Sequence, residues 1–111
     1  MACFLLGSQI SMAQSTSTGN ASFYSNSLQG KKTASGEPYK KNKLTAAHRT
    51  LPFNTKVKVT NLSNNKSVIV IINDRGPHKK SRIIDVSEAA AKKIDLIDQG
   101  IAQVEIEVLE D

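Results

Sequence analysis

The sequence contains no tryptophan, and aromatic residues make up only 5% of it. A core built on large rings is excluded. With 39% hydrophobic residues, the interior has to come from Ile, Val, Leu and Ala. Cysteine occurs once, at Cys3. A single thiol excludes an intramolecular disulfide framework and a cysteine-based metal cluster. Long apolar runs are missing too. The uncharged opening, MACFLLGSQISMA, has its apolar stretch at Cys3 to Leu6, far short of the ~20 residues that cross a bilayer. No internal repeat or long low-complexity segment occurs, and 111 residues leave room for one domain.

What is present divides into three stretches. Residues 1–13 read as the tail of a secretory signal, because Ser11-Met12-Ala13 has the small-x-small pattern that precedes cleavage. Cys3 has only Met1 and Ala2 before it, too little for a lipid-anchor site, and counts as an apolar residue of the signal. Residues 14–20 (QSTSTGN) are small and polar without periodicity, the composition of a linker. Residues 21–111 carry the folded domain. The charge is uneven: up to Arg82 there are 13 basic and 2 acidic residues, and from Ile83 onward 2 basic and 8 acidic. A basic face is possible if the fold keeps these halves apart, and a mixed solvated surface results if it does not.

Hydrophobic spacing predicts strands. Ala21 to Tyr24 is a short first one. Thr55 to Thr60 alternates, with Val57 and Val59 on one face and Lys56 and Lys58 on the other. Asn64-Asn65 suits the hairpin turn that follows. Ser67 to Ile72 (SVIVII) is a β-branched run predicted to be buried on both faces. Arg82 to Val86 and Gln103 to Leu109 complete the strands. Ser87 to Ile94 (SEAAAKKI) is the one clear helix, with Asp85 or Ser87 as cap, Glu88 at its positive end and Lys92 and Lys93 at its negative end. Ser25 to Lys43 reads as a long loop with Gly30 and Gly36 at turns, and loops of that length are often functional. Five or six short strands and one helix suggest a mainly β domain closed as a small barrel. The expected core includes Val57, Val59, Val68, Val70, Ile72, Ile84, Val104, Ile106 and Val108.

Asn73-Asp74-Arg75-Gly76-Pro77 is the sharpest local feature. Asp74 directly follows a strand, so it belongs at a barrel rim, half shielded from water. Partial desolvation favours the protonated carboxyl that a general acid needs, while Arg75 pushes the other way. An Asx-turn for Asp74 and a surface pairing for Arg75 fit the spacing as well. His48 stands in an otherwise apolar stretch, as a structural histidine or an acid-base group. Glu37 lies in the long loop, exposed or functional. Asp85 suits a helix cap. Tyr24 and Tyr39 offer rings for stacking on sugars or for packing. Lys79, Lys80 and Arg82 follow the Asp74 loop as a basic run. No aromatic residues interleave with it, which disfavours nucleic acid as a partner.

The segments GNASFY, KTASGEPY, LTAAHRTLPFNTKVKVTNL, VIVIINDRGP and RIIDVSEAAA, in this order, resemble the rare lipoprotein A family of septal lytic transglycosylases. The resemblance runs from about Gly19 to Leu109. It implies a six-stranded double-psi β-barrel. It also implies endolytic cleavage of peptidoglycan glycan strands, preferentially those stripped of stem peptides, to 1,6-anhydro ends. By the same resemblance Asp74 is the catalytic acid-base, His48 and Glu37 assist it, and Asp85 supports the site. Tyr24, Tyr39, Arg75, Lys79 and Arg82 are then the substrate contacts, and Lys79, Lys80 and Arg82 would steer the lactyl carboxylates that bare strands expose. Many members have Trp where Phe23 stands and Gly where Ser25 stands, and His78 takes an often aromatic position. The resemblance implies no metal or cofactor, and a monomer exported to the periplasm or envelope, with no transmembrane span. Two other classes remain open: a non-catalytic, expansin-like wall-binding module and a small interaction protein of the envelope.

Overall fold

The computed structural model describes residues 16–109. The expected signal segment, with Cys3, lies outside the described residues. Six strands, β1 (Thr16–Phe23), β2 (Thr45–Ala47), β3 (Lys56–Asn61), β4 (Lys66–Asp74), β5 (Arg82–Val86) and β6 (Ala102–Leu109), close into a barrel in the order β1-β5-β2-β4-β3-β6. The pairs β1/β5 and β2/β4 are parallel and the other four antiparallel, the mixed six-stranded barrel of the double-psi type.

Alternation decides which side chains go inside. On β3, Val57 and Val59 point inward while Lys56 and Lys58 stay in water. On β4, Val68, Val70 and Ile72 are buried. Its other face is open at Ile69 and covered only toward the end, at Asn73, contrary to the expectation of a strand covered on both sides. Ile69 is 49% exposed, because no layer lies over it outside the barrel wall. The core also takes Ala21, Ala46, Val86, Ile94 and Leu96, whereas Val108, expected inside, is only half-buried near the end of β6. Small and β-branched residues fill the barrel without a large ring, as the composition required. Truncating a fully buried Ile such as Ile72 to Ala costs about 2–5 kcal/mol.

β1 is longer than the sequence suggested. It begins at Thr16, so residues 16–20 are strand and not linker. Small polar residues there carry no hydrophobic alternation. They are held instead by antiparallel pairing of Thr16–Ala21 with β6, before Asn20–Phe23 pair in parallel with β5.

Helix α1 (Glu88–Lys93) starts at Ser87, whose Oγ accepts from Ala90 N at 3.3 Å. Asp85, the alternative cap, is on β5. Ala90 and Ala91 are buried against the barrel, and Lys92 pairs with Glu88 at 3.2 Å on the outside. The β3–β4 hairpin turns at Asn65, whose φ of 63° is a left-handed conformation that Asn tolerates. Asn61, fully buried at the end of β3, ties the hairpin to α1. Its Nδ2 donates to Ile94 O at 2.9 Å and to Gln99 Oε1 at 2.8 Å, and its Oδ1 accepts from Ser63 N and Oγ.

The 25–43 loop is anchored along its length. It opens with a 3-10 turn (Asn26–Leu28) capped by Ser25. Gly30 donates to Tyr39 O at 2.8 Å, Tyr39 donates to Lys31 O at 2.7 Å, and Ser35 N reaches Asn73 O at the end of β4 at 3.2 Å. These bonds lay the loop beside the strand ends where Asp74 emerges.

Candidate active site

Four strands bring a row of residues together. Ser22 on β1 is paired with Asp85 on β5, Asp85 with Ala47 on β2, and Ala47 with Asp74 on β4. The β2/β4 register shifts between Ala46 and Ala47, so Asp74 and not Asn73 stands opposite Ala47. Such a bulge re-aims the side chains that follow it. Asp74 and Asp85 therefore flank Ala47 and line one groove of about 240 Å³ with Ser22, Tyr24, Arg82 and His78.

Asp74 is held from three directions. The Tyr24 phenol donates to Oδ2 at 2.5 Å. Ala34 N and Arg75 N donate to Oδ1 at 2.8 and 2.9 Å. The Ala34 N–H arrives on a turn closed by Thr33, whose N and Oγ1 both donate to Glu37 O. Burial pushes the Tyr24 phenol well above its ordinary range, and the hydrogen bond to Asp74 and the Asp74 charge push it further, so it remains a donor.

The surroundings of Asp85 are different. Ser22 Oγ donates to its Oδ1 at 3.2 Å, and Arg82 Nε lies 3.3 Å from the same oxygen. That Nε–H has no aligned hydrogen-bond acceptor among the described residues, so the ion pair is a loose one. Burial raises the Asp85 carboxyl above its ordinary range, against the opposing pull of Arg82, Ser22, His78 and Arg49.

The other expected site residues do not all converge here. The His48 side chain is turned to its own loop. Nδ1 accepts from Thr50 N and Leu51 N, both at 3.1 Å, which places the proton of the neutral ring on Nε2. Burial, then the charges of Arg49 and Arg75, lower its pKa and keep it neutral. Its link to Asp74 is through the backbone, His48 N donating to Asp74 O at 3.1 Å. Glu37 is exposed and lines a separate cavity of about 330 Å³ with Lys40, Lys43 and Asn54. It joins the site through the turn that presents Ala34, not through its carboxylate.

Three of the expected sugar contacts sit in different settings. Tyr39 is 2% exposed, stacked on Tyr24 with ring centroids 4.4 Å apart, and its hydroxyl accepts from Glu88 N. It supports Tyr24 and offers no open face. Arg75 directs Nη1 to His48 O and Leu51 O at 3.1 and 2.8 Å and lays its guanidinium over the Phe53 ring at 4.2 Å. Its side chain staples the His48 loop, and the residue also lines the groove beside Asp74. Lys79 is exposed and outside the groove, whereas Lys80 lines a neighbouring open trough with Arg49, Arg75 and His78.

Two features escaped the sequence reading. Arg49 donates to Pro77 O at 2.6 Å, Lys79 O at 3.4 Å and Arg82 O at 2.7 Å, holding the loop between β4 and β5. No local pattern marks a residue whose partners lie some thirty positions away. Ser22 could have been found, because it alternates with Tyr24 at the end of β1 and shares its side of the strand. Among the described residues no cluster of three or more His, Cys, Asp or Glu is placed to hold a metal ion.

Comparison with known proteins places this geometry. The chain is 55% identical over 96 residues to the endolytic peptidoglycan transglycosylase RlpA of Neisseria meningitidis serogroup B, covering 86% of this chain and 40% of the relative. The protein of the same name from Haemophilus influenzae is 57% identical over 91 residues, covering 82% and 32%. The chain thus spans two fifths or less of these curated relatives. Among solved structures, the Streptomyces papain inhibitor superposes with a TM-score of 0.69 at 22% identity, covering 86% of this chain and 94% of that one. The expansin of Clavibacter michiganensis also gives a TM-score of 0.69 at 22% identity, covering 86% and 51%. At such identities these two show a shared barrel. Residues 16–106 match the family described as lytic transglycolase, and the chain belongs to that family.

Proposed function

We propose that this domain is an endolytic peptidoglycan lytic transglycosylase. It breaks the bond between N-acetylmuramic acid and N-acetylglucosamine within a glycan strand, and the 6-hydroxyl of the muramic ring closes a 1,6-anhydro end. The observation that carries this reading is a groove at the strand ends in which Asp74 is fixed by Tyr24, Ala34 N–H and Arg75 N–H. The names of the relatives, at 55–57% identity, support it.

A transglycosylase of this kind needs no activated water, since the nucleophile belongs to the substrate. The protein has to protonate the leaving oxygen, accept the proton of the attacking hydroxyl and hold the rings in position. Proton transfer by a placed carboxyl contributes roughly 10²–10⁴-fold, and positioning and electrostatics supply the rest. Asp74 is the central catalytic group. His48 and Glu37 are positioning residues, the first through the loop that Arg75 binds, the second through the turn that carries Ala34. Arg82 in the groove and Lys80 beside it give the substrate path a positive edge suited to strands stripped of peptide.

On this reading the domain acts in the cell envelope, as an exported monomer. Among the described residues no helix is long and apolar enough to cross a membrane. Incubating the chain with peptide-free glycan strands and separating the products by mass tests the reading. Products ending in 1,6-anhydromuramic acid support it. Binding to strands without any such product contradicts it and favours a non-catalytic wall-binding module.

A further inference from the structure

The groove holds two carboxylates, and their surroundings fit them for opposite tasks. Both oxygens of Asp74 face donors: Oδ2 takes the Tyr24 phenol and Oδ1 takes two backbone N–H groups. In this set the Asp74 carboxyl serves as acceptor in all three bonds, the arrangement of a group placed to receive a proton. One lone-pair site of Oδ2 remains open beside the Tyr24 phenol, and a proton can be received there.

Asp85 has its two partners, Ser22 Oγ and Arg82 Nε, on Oδ1 alone. Among the described residues no donor reaches Oδ2, which leaves that oxygen able to carry a proton. The Arg82 guanidinium lies 3.3 Å away without an aligned hydrogen bond, and its pull toward the ionised form is outweighed by burial. The side chain is 20% exposed and lines the groove, close enough to water to be recharged with a proton between turnovers.

The spacing suits a division of labour. Asp74 and Asp85 are register partners of the same residue, Ala47, on its two sides. Adjacent strands lie ~4.8 Å apart, so the two Cα atoms are separated by roughly 9–10 Å. Ala47 lines the groove with them, and a glycosidic linkage set at this point has one carboxylate on each side.

We propose that Asp85 is the second catalytic carboxylate of this groove and the group that protonates the leaving oxygen, with Asp74 acting as the base. The inference rests on the transglycosylase reading given above. In the step, the muramic C1–O bond breaks and the Asp85 proton goes to the departing O4 of N-acetylglucosamine. The muramic O6 bonds to C1, and its hydroxyl proton goes to Asp74. The products are a free 4-hydroxyl and a 1,6-anhydro ring. Asp85 is left ionised and Asp74 protonated, and exchange with solvent after release restores both. The burial that raises Asp85 fits the donor role.

Leaving-group dependence separates an acid from a base. The test compares wild type, Asp74→Asn, Asp85→Asn and Asp85→Glu on peptide-free glycan strands and on a 4-nitrophenyl glycoside of N-acetylmuramic acid. The nitrophenolate of the glycoside departs without a proton. On strands, Asp85→Asn is expected to lose roughly 10²–10⁴-fold in anhydro-product formation, with strand binding retained and Asp85→Glu recovering part of the rate. On the nitrophenyl glycoside, Asp85→Asn is expected within about tenfold of wild type, as the acid contribution of 10²–10⁴-fold is no longer needed, while Asp74→Asn stays impaired. Wild-type turnover of strands by Asp85→Asn overturns the proposal, and so does an equal loss on both substrates. Activity of Asp85→Glu guards against a loss that is only a folding defect. A wild-type chain that forms no anhydro product on either substrate refutes the underlying reading, an outcome distinct from failure at Asp85.

Discussion

Asp74 and Asp85 stand on either side of Ala47, each its direct partner on a neighbouring strand. The barrel closure that creates this relationship joins β4, β2 and β5, bringing Ala47 between two aspartates that follow it by 27 and 38 positions, and it sets two carboxylates of unlike environment in one groove.

Tyr24→Phe removes the donor 2.5 Å from Asp74 while keeping the ring stacked on Tyr39. A hydrogen bond to a charged group is worth about 1.5–3 kcal/mol. Turnover on bare strands should fall by roughly ten- to hundredfold, with the melting temperature little changed. Steady-state rates together with thermal unfolding check this. An unchanged rate would remove Tyr24 from the site.

His48→Asn and His48→Ala should differ. An Asn oxygen can replace Nδ1 as the acceptor for Thr50 N and Leu51 N, and Ala cannot. The Asn variant should therefore keep most of the turnover that the Ala variant loses. Equal, severe loss in both would instead make the ring itself a proton carrier. The histidine also predicts an acid-side effect on stability. Its folded pKa is lowered, first by burial and then by Arg49 and Arg75. The unfolded chain therefore takes up the proton first, and stability declines as pH falls through about 6.5, the ordinary histidine value. Denaturation curves of His48→Asn should lack that decline.

Asp85→Asn should stabilise the fold at neutral pH. The groups around this carboxyl are Ser22 on β1, Arg82 on its own strand, and His78 and Arg49 from the loops. Burial outweighs them and raises the folded pKa, so the ionised form disfavours folding. The wild-type contribution is best below about 3.9, the ordinary Asp value, and is lost as pH rises through the folded pKa. The gain in the Asn variant should accordingly be present at pH 7 and absent at pH 3. A catalytic group commonly carries such a cost in stability. Urea unfolding at the two pH values reads it directly.

Asn61→Leu tests the barrel's support away from the groove. The substitution leaves Ile94 O and Gln99 without their buried donor and Ser63 without its acceptor. The expected cost is about 1–3 kcal/mol of stability, measured by chemical denaturation, with turnover per folded molecule unchanged.

Much of this architecture was legible in the chain because alternation is a local signal. Val57 and Val59 against Lys56 and Lys58 marked β3, and Ser87 followed by Glu88 marked the start of α1. β1 was half hidden because Thr16 to Asn20 are held by partners remote in sequence. Ile69 looked buried because composition alone does not tell a barrel's outer wall from a covered sheet. The site was legible in part. Asp74 announced itself by its position after a buried strand. The pairing that makes Asp85 its neighbour exists only once the barrel closes, and the resemblance to the family gave that residue a supporting part. Tyr39 looked like a sugar platform and is a buried prop for Tyr24, a distinction set by packing and not by residue type.

The most direct test of the central claim is a digest of peptide-free glycan strands by the chain in ¹⁸O-labelled water, followed by mass spectrometry of the new ends. Intramolecular attack by the muramic 6-hydroxyl predicts anhydro ends that lack the elements of water and carry no ¹⁸O at the cleaved carbon. Reducing ends carrying ¹⁸O would mean that water is the nucleophile and would contradict the account.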